Sequence, residues 1–207
     1  MKKGLLLVIS GFSGAGKGTV IRKLLEQNSD YWLSVSMTSR APREGEQEGV
    51  NYYYRSREEF EKTLAEGGLL EHTEYCGNYY GTPKAMVEEK LAAGINVLLE
   101  IEVQGALQIK KIYPDSLLLF VTPPSVEELE RRLRGRGTET EEKIRKRMTQ
   151  AAVEAPDMDK YEYVIVNDDL DACAEKIRRI VDAARSAPSR MPEFLAGIRR
   201  DLEKYKQ

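Results

Sequence analysis

The chain has 207 residues, 41% hydrophobic and 32% charged, with a net charge of −2 and a pI near 5.7. That suits one domain with subdomains around a sizeable core, and argues against a general nucleic-acid or membrane-surface binder, so any basic site must be local. Cys76 and Cys173 form neither a disulfide framework nor a metal-ligand spacing, which fits a reducing cytoplasm, and the short apolar run after Met1-Lys2-Lys3 is expected to be neither a signal peptide nor a membrane span.

That run, Leu5-Leu6-Leu7-Val8-Ile9, predicts a buried parallel strand. Gly11-Phe12-Ser13-Gly14-Ala15-Gly16-Lys17-Gly18-Thr19 follows, and then Val20, Ile21, Leu24 and Leu25 at helical spacing. Strand, glycine-rich turn and helix are the context of a phosphate-binding loop. Glycines let successive N–H groups point inward, and the helix N-terminus adds its positive end. Lys17 supplies a mobile charge for the β- and γ-phosphates of a nucleoside triphosphate. The hydroxyl usually found directly after the lysine is replaced by Gly18, with Thr19 one residue on. Phosphate binding survives this change, but the direct metal ligands are left undetermined.

Trp32–Ser36 alternates well enough for a second strand. From 37 to 94 polar and aromatic residues replace the long apolar runs, so this segment reads as a subdomain inserted on a parallel-sheet core. Within it Ser56 and Glu59 form a capping box, opening a helix with Phe60 and Leu64 that Gly67-Gly68 ends. Thr82-Pro83 predicts a cap and first-turn proline for a helix stopped at Gly94.

The core resumes with Val97–Glu102, a strand with an acidic end, then a short helix over Ala106–Ile112 and a buried strand at Leu117–Val121. Ser125 and Glu128 predict a second capping box before an arginine-rich helix that breaks at Gly135-Arg136-Gly137, and Thr138 with Glu141 starts the next. Tyr163–Val166 is the last strand, covered by a helix with Ile177, Ile180 and Val181. The alternation predicts an α/β fold of about five parallel strands flanked by helices. Ser186–Ser189 reads as a linker to a helical tail, 185–207, whose Phe194, Ile198, Leu202 and Tyr205 share one face and offer a surface for homo-oligomer formation.

A nucleoside monophosphate acceptor would need cations and hydroxyls for its phosphate and an edge reader for its base. Arg40 and Arg43 can make bidentate phosphate contacts, and Tyr52 and Tyr80 can add phenolic donors, with surface packing as the alternative for the tyrosines. Arg131, Arg132, Arg134, Arg136, Arg145 and Arg147 crowd the segment after Ser125, and most of them fit a solvated helix pair balanced by glutamates.

From Leu5 to about Ala184 the sequence closely resembles guanylate kinase. The resemblance is carried by Ser34-Val35-Ser36-Met37-Thr38-Ser39-Arg40-Ala41-Pro42-Arg43, Gly77-Asn78-Tyr79-Tyr80-Gly81, Glu100-Ile101-Glu102-Val103-Gln104-Gly105, Gly135-Arg136-Gly137-Thr138 and Val164-Ile165-Val166-Asn167. It implies a domain over 4–184, with a core (4–36, 95–124, 157–184), a GMP-binding subdomain (37–94) and a closing lid (125–156). The activity it implies is Mg²⁺- and ATP-dependent phosphorylation of GMP, and of dGMP, in cytoplasmic purine metabolism. By resemblance Arg40, Arg43, Tyr52 and Tyr80 hold the GMP phosphate, while Ser36, Glu71 and Thr82 read guanine. Glu102, where the family usually carries aspartate, would face the guanine amino group and the metal site. Gly11 to Thr19 would hold ATP with Arg132, Arg136 and Asn167, and Lys17, Arg40, Arg43, Arg136 and Arg147 would stabilise the transferring group. His72 is assigned no catalytic role. The rival readings are a non-catalytic guanylate-kinase-like interaction module and a related kinase with another small acceptor.

Overall fold

The computed structural model of the chain describes residues 3–75, 77–135 and 140–206. Strand β1 (Leu6–Gly11) leads into helix α1 (Lys17–Gln27) and strand β2 (Tyr31–Leu33). The chain then leaves the core to form β3 (Met37–Thr38), β4 (Tyr53–Tyr54), α2 (Arg57–Ala65), β5 (Leu69–Tyr75), β6 (Asn78–Pro83) and α3 (Lys84–Ala92). It returns through β7 (Asn96–Glu100), α4 (Val103–Ile112), β8 (Leu117–Thr122), α5 (Val126–Arg134), α6 (Glu141–Glu154), β9 (Tyr163–Val166), α7 (Leu170–Ala184) and α8 (Pro192–Glu203).

Every residue of β1 is buried, as a strand covered on both faces requires. It lies at the centre of a five-stranded sheet, in the order β2-β7-β1-β8-β9, and every pairing in it is parallel. Val20, Ile21 and Leu24 of α1, Ala106 and Ile109 of α4, and Ile177 and Val181 of α7 pack with the strands into one core. Parallel register brings Ile9 opposite Glu100 and Gly11 opposite Val121. The end of β1 therefore opens at the carboxyl edge of the sheet, where open α/β sheets bind ligands.

The second sheet has the order β4-β3-β6-β5. β5 and β6 form an antiparallel pair whose register shifts between Leu69 and His72. The outer flank of β5 is tied to the core helix α4: the Gln108 amide donates to His72 O (2.9 Å) and its oxygen accepts from His72 N (3.2 Å).

The five parallel strands and the Ser56–Glu59 capping box match the sequence reading. Several boundaries do not. β2 stops at Leu33, because after Ser34 N reaches Leu98 O the chain turns away to the second sheet. α4 begins at Val103 rather than Ala106. Thr82 and Pro83 end strand β6 instead of opening a helix; Pro83 is the N-cap of α3, with no side-chain cap. Ser125 caps α5 by accepting from Glu128 N, but no reciprocal box forms, since the Glu128 carboxylate is taken by Arg131 and Arg132. α6 is capped by Thr140, while Thr138 lies outside the described residues.

No described helix is long and apolar enough to cross a membrane. α8 carries no buried residue, and Phe194, Ile198, Leu202 and Tyr205 are all exposed. Truncation after Met191 is therefore expected to leave the unfolding free energy within about 0.5 kcal/mol of the full chain in urea denaturation. A loss of several kcal/mol would mean that the helix is held by the core.

Candidate active site

The turn from β1 into α1 is the phosphate loop. Gly16 is the N-cap of α1, with φ 89°, and a Cβ built on it would lie 2.5 Å from Asn167 Nδ2. Both the left-handed backbone and the missing space exclude a side chain there. The loop is braced from behind. Asn167, only 7% exposed at the end of β9, donates to Ala15 O (2.8 Å). Arg132 of α5 donates to Asn167 O (2.8 Å) and to Ala15 O (3.4 Å), and is itself held by Glu128 (2.6 Å). Lys17 Nζ donates to Gly11 O (2.7 Å) and Phe12 O (3.3 Å), which keeps the ammonium at the loop. Arg147 reaches across from α6 and donates to Ser13 Oγ.

These residues border a cleft of about 380 Å³ lined by Ser13, Gly14, Gly16, Lys17, Gly18, Thr19, Arg22 and Glu100. Ala15 and Phe12 are buried in the loop's base, the Phe12 ring meeting Phe120 edge-on at 5.0 Å. Phe12 thus contributes packing and its carbonyl rather than a side chain to the cleft. Arg136 lies outside the described residues.

The inserted sheet supplies a second group of residues. Glu71 on β5 is 4% exposed, and its Oε1 accepts from Thr82 Oγ1 (2.6 Å) on β6. Its Oε2 lies where α4 has Gly105: a Cβ there would come within 2.4 Å of that oxygen. Burial pushes the Glu71 carboxyl up to about 7, against a smaller opposing pull from the Thr82 hydroxyl and backbone N–H. Ser36 is half-buried beside this sheet, its carbonyl accepting from Tyr53 N (2.8 Å).

Arg40 lies over the Tyr52 ring, 5.5 Å from its centroid, and the Tyr52 and Tyr80 rings meet edge-on at 5.9 Å. Burial works against the Arg40 charge, but Glu46 and the Tyr80 hydroxyl hold its pKa above the ordinary value. The fold therefore assembles Arg40, Tyr52 and Tyr80 into one group. Arg43 stands exposed on the same loop, its backbone N–H donating to the Glu46 carboxylate (2.8 Å) and its carbonyl accepting from Glu46 N (3.1 Å).

Two residues that the sequence reading did not assign to the site belong beside it. Glu100, at the end of β7, faces the cleft 3.9 Å from where a side chain on Gly18 would begin. Solvent reaches it, yet the cleft walls push its carboxyl up, with Lys17 lowering it and Glu102 raising it. No local signal set it apart from Glu102; the parallel register with Ile9 carries the end of β7 to the phosphate loop. Glu102 instead is the exposed N-cap of α4, without a side-chain cap. Glu46 is the second such residue.

A phosphate loop on the central strand of a parallel sheet, beside an inserted sheet with a buried carboxylate and an arginine–tyrosine group, defines a P-loop kinase for a small nucleotide acceptor. The family model for guanylate kinase matches residues 3–184, and the chain belongs to that family. Similar relatives are the guanylate kinases of Desulfitobacterium hafniense (strain Y51), 48% identical over 94% of this chain and 98% of that one, and of Listeria innocua serovar 6a, 53% identical over 87% and 89%. Among solved structures, guanylate kinase from Anaplasma phagocytophilum superposes with a TM-score of 0.75 at 37% identity, covering 91% of this chain and 90% of that one.

The Glu71 carboxyl gives a stability test. Its folded value, about 7, stands well above the ordinary glutamate value, so it favours folding fully only below about pH 4, and that contribution is lost as pH rises through 7. Charging it in place costs roughly 3 kcal/mol by pH 8. Glu71→Gln is expected to be more stable than wild type at pH 8, with the advantage shrinking toward pH 5, in urea denaturation. Parallel pH profiles for the two proteins would show that the carboxyl does not titrate in this range.

Proposed function

We propose that this chain transfers the γ-phosphoryl group of ATP to GMP, and to dGMP, giving ADP and the nucleoside diphosphate. Family membership supports the reaction, and one observation carries the acceptor: the buried Glu71 carboxyl, with no cation partner among the described residues and a hydroxyl from Thr82 beside it. Guanine offers N1–H and an exocyclic amino group as adjacent donors, so one ionised carboxylate accepts from both. Adenine presents an acceptor at N1, which would leave the ionised carboxylate unpaired, a filter that strengthens as pH rises through 7 and the carboxyl charges. Thr82, hydrogen-bonded to Glu71, and Ser36 complete the base site in this reading. The GMP phosphate goes to Arg40, Tyr52 and Tyr80, with exposed Arg43 closing on it.

The attacking GMP phosphate is already ionised, so no general base is needed. Catalysis rests on holding two anions in line and on neutralising charge that spreads over the transferring group. Lys17 supplies that charge from the loop, and Arg147 from α6, with Arg136 as a further lid cation. Arg132 and Asn167 act on ATP through the loop that they brace.

Mg²⁺ fits the cleft as a guest of ATP. Glu100 and the Thr19 hydroxyl line it with hard oxygen donors, and no described group of three or more His, Cys, Asp or Glu could hold a metal alone. Such a site suits an ion held mainly by phosphates and water. When bound, it neutralises charge on the β- and γ-phosphates.

A coupled ADP-release assay across GMP, dGMP, AMP, CMP and UMP tests the acceptor. GMP and dGMP are expected to lead, and Glu71→Gln to lower kcat/KM for GMP and narrow its preference over AMP, since an amide can donate to adenine N1. An unchanged GMP/AMP ratio would remove Glu71 from the base site. The two acids at the end of β7 separate in the same assay. Glu100→Gln should raise the Mg²⁺ concentration for half-maximal rate and lower kcat at least about tenfold, or ~1.4 kcal/mol. Glu102→Gln should act mainly on kcat/KM for GMP. Equal Mg²⁺ titrations for wild type and Glu100→Gln would exclude Glu100 from the ion's surroundings.

A further inference from the structure

The loop that carries Arg40 and Arg43 runs from β3 to β4 and has little regular structure of its own, as its residues from Ser39 to Tyr52 belong to no helix or named strand. Its shape has to come from side chains, and most of that work falls to one carboxylate. Glu46 accepts from Arg40 Nη2 at 2.9 Å on both of its oxygens. It also accepts from Arg43 N at 2.8 Å and from the Tyr54 hydroxyl at 2.9 Å. Both partners of the ion pair are largely shielded, with 14% of the Arg40 side chain and 19% of the Glu46 side chain exposed. Glu48 adds a second tie at the loop's return, accepting from Tyr54 N (2.9 Å) and Arg55 Nη1 (2.7 Å).

The consequence for Arg40 is geometric. Its Nη2 is occupied by Glu46 and its Nη1 donates to Ala41 O (2.8 Å), while the plane of the group lies over Tyr52. A free arginine side chain has large rotamer freedom, and a planar fork binds an oxyanion well only when it is already aimed. A carboxylate on one side of the fork fixes the direction of the other. It also offsets part of the positive charge, so the pair holds its aim without a bound anion.

We propose that Glu46 is a positioning residue for the acceptor phosphate: it pre-aims Arg40 and folds the Arg40–Tyr54 loop so that the phosphate of GMP meets a ready-made site. The proposal rests on the reading of Arg40 as a phosphate ligand. Glu46 touches no nucleotide in this role. Its carboxyl is kept below the ordinary glutamate range, first by the Arg43 backbone N–H and then by Tyr54 and Arg40, with burial opposing them, so it stays an acceptor throughout the neutral range. Removing the charge should therefore be felt through the phosphate and not through the base.

The test compares a ligand with the phosphate and one without it. GMP is measured as substrate and guanosine as a competitive inhibitor, for wild type, Glu46→Gln and Arg40→Ala, with the KM for ATP followed alongside. Glu46→Gln is expected to raise the KM for GMP about tenfold, with kcat changed less than about threefold and the guanosine inhibition constant and the KM for ATP unchanged. Parallel weakening of GMP and guanosine would overturn the proposal, because it would mean a general loosening of the acceptor sheet. An unchanged KM for GMP in Glu46→Gln, together with a raised one in Arg40→Ala, would overturn it while leaving Arg40 as the ligand. If Arg40→Ala itself leaves the KM for GMP unchanged, the phosphate reading fails first and Glu46 falls with it. Should Glu46→Gln not fold, Tyr54→Phe removes one hydroxyl from the same carboxylate and is expected to give a smaller version of the same split; its absence there would overturn the proposal as well.

Discussion

A loop that turns its amides toward an anion has to send carbonyls the other way, and those carbonyls need donors. Here the demand is met at Ala15, whose oxygen receives the Asn167 amide and the Arg132 guanidinium. Much of the architecture follows from that bond. Asn167 can reach only because β9 lies parallel to β8 and ends level with it, its N–H bonded to Thr122 O. Arg132 can reach only because α5 is aimed by Glu128, which also closes the Ser125 turn. The phosphate loop is thus the meeting point of the chain's beginning, its arginine-rich segment and its last core strand, and its rigidity is a property of all three.

Two kinds of electrostatic arrangement coexist in the site. On the ATP side, cations are near carbonyls and hydroxyls: Lys17 on Gly11 O, Arg147 on Ser13 Oγ. These two bonds are to neutral groups, so breaking either of them for a phosphate separates no ion pair. On the acceptor side Arg40 already has an opposite charge in Glu46. Glu71, by contrast, has the Thr82 hydroxyl and no cation among the described residues, so its carboxyl is available to a ligand that brings donors. The donor site is built to exchange partners, and the acceptor site is built to wait for one.

Elements with a local signature were legible in the chain. The apolar runs at Leu5–Ile9 and Leu117–Val121 became buried strands because their composition suits a strand with both faces covered. The glycine-rich turn could be recognised because strand, turn and helix are contiguous. Pairings across long stretches of chain were not legible. Thr82-Pro83 had the look of a helix start, but the partner that decided its structure, Glu71, sits on the neighbouring strand. Thr138 looked like a cap while Thr140, two residues on, does the capping. Glu100 and Glu102 read alike as the acidic end of a strand. Only the register against β1 and the start of α4 at Val103 separate the one facing the loop cleft from the one exposed at the helix cap. Glu46 gave no signal, as a glutamate in a polar loop has the composition of any solvated surface.

Gly105 touches no ligand and adopts no unusual backbone, yet the space above it is filled by a carboxylate from another element. An alanine would bring a methyl to within 2.4 Å of Glu71 Oε2, a separation that packed atoms do not tolerate. Positions 71 and 105 are therefore sterically coupled. A side chain at 105 would oblige the Glu71 carboxylate, the mobile end of its side chain, to move away from the helix. On the proposed reading of Glu71, a change at this silent helical glycine would be felt by a base that it never meets.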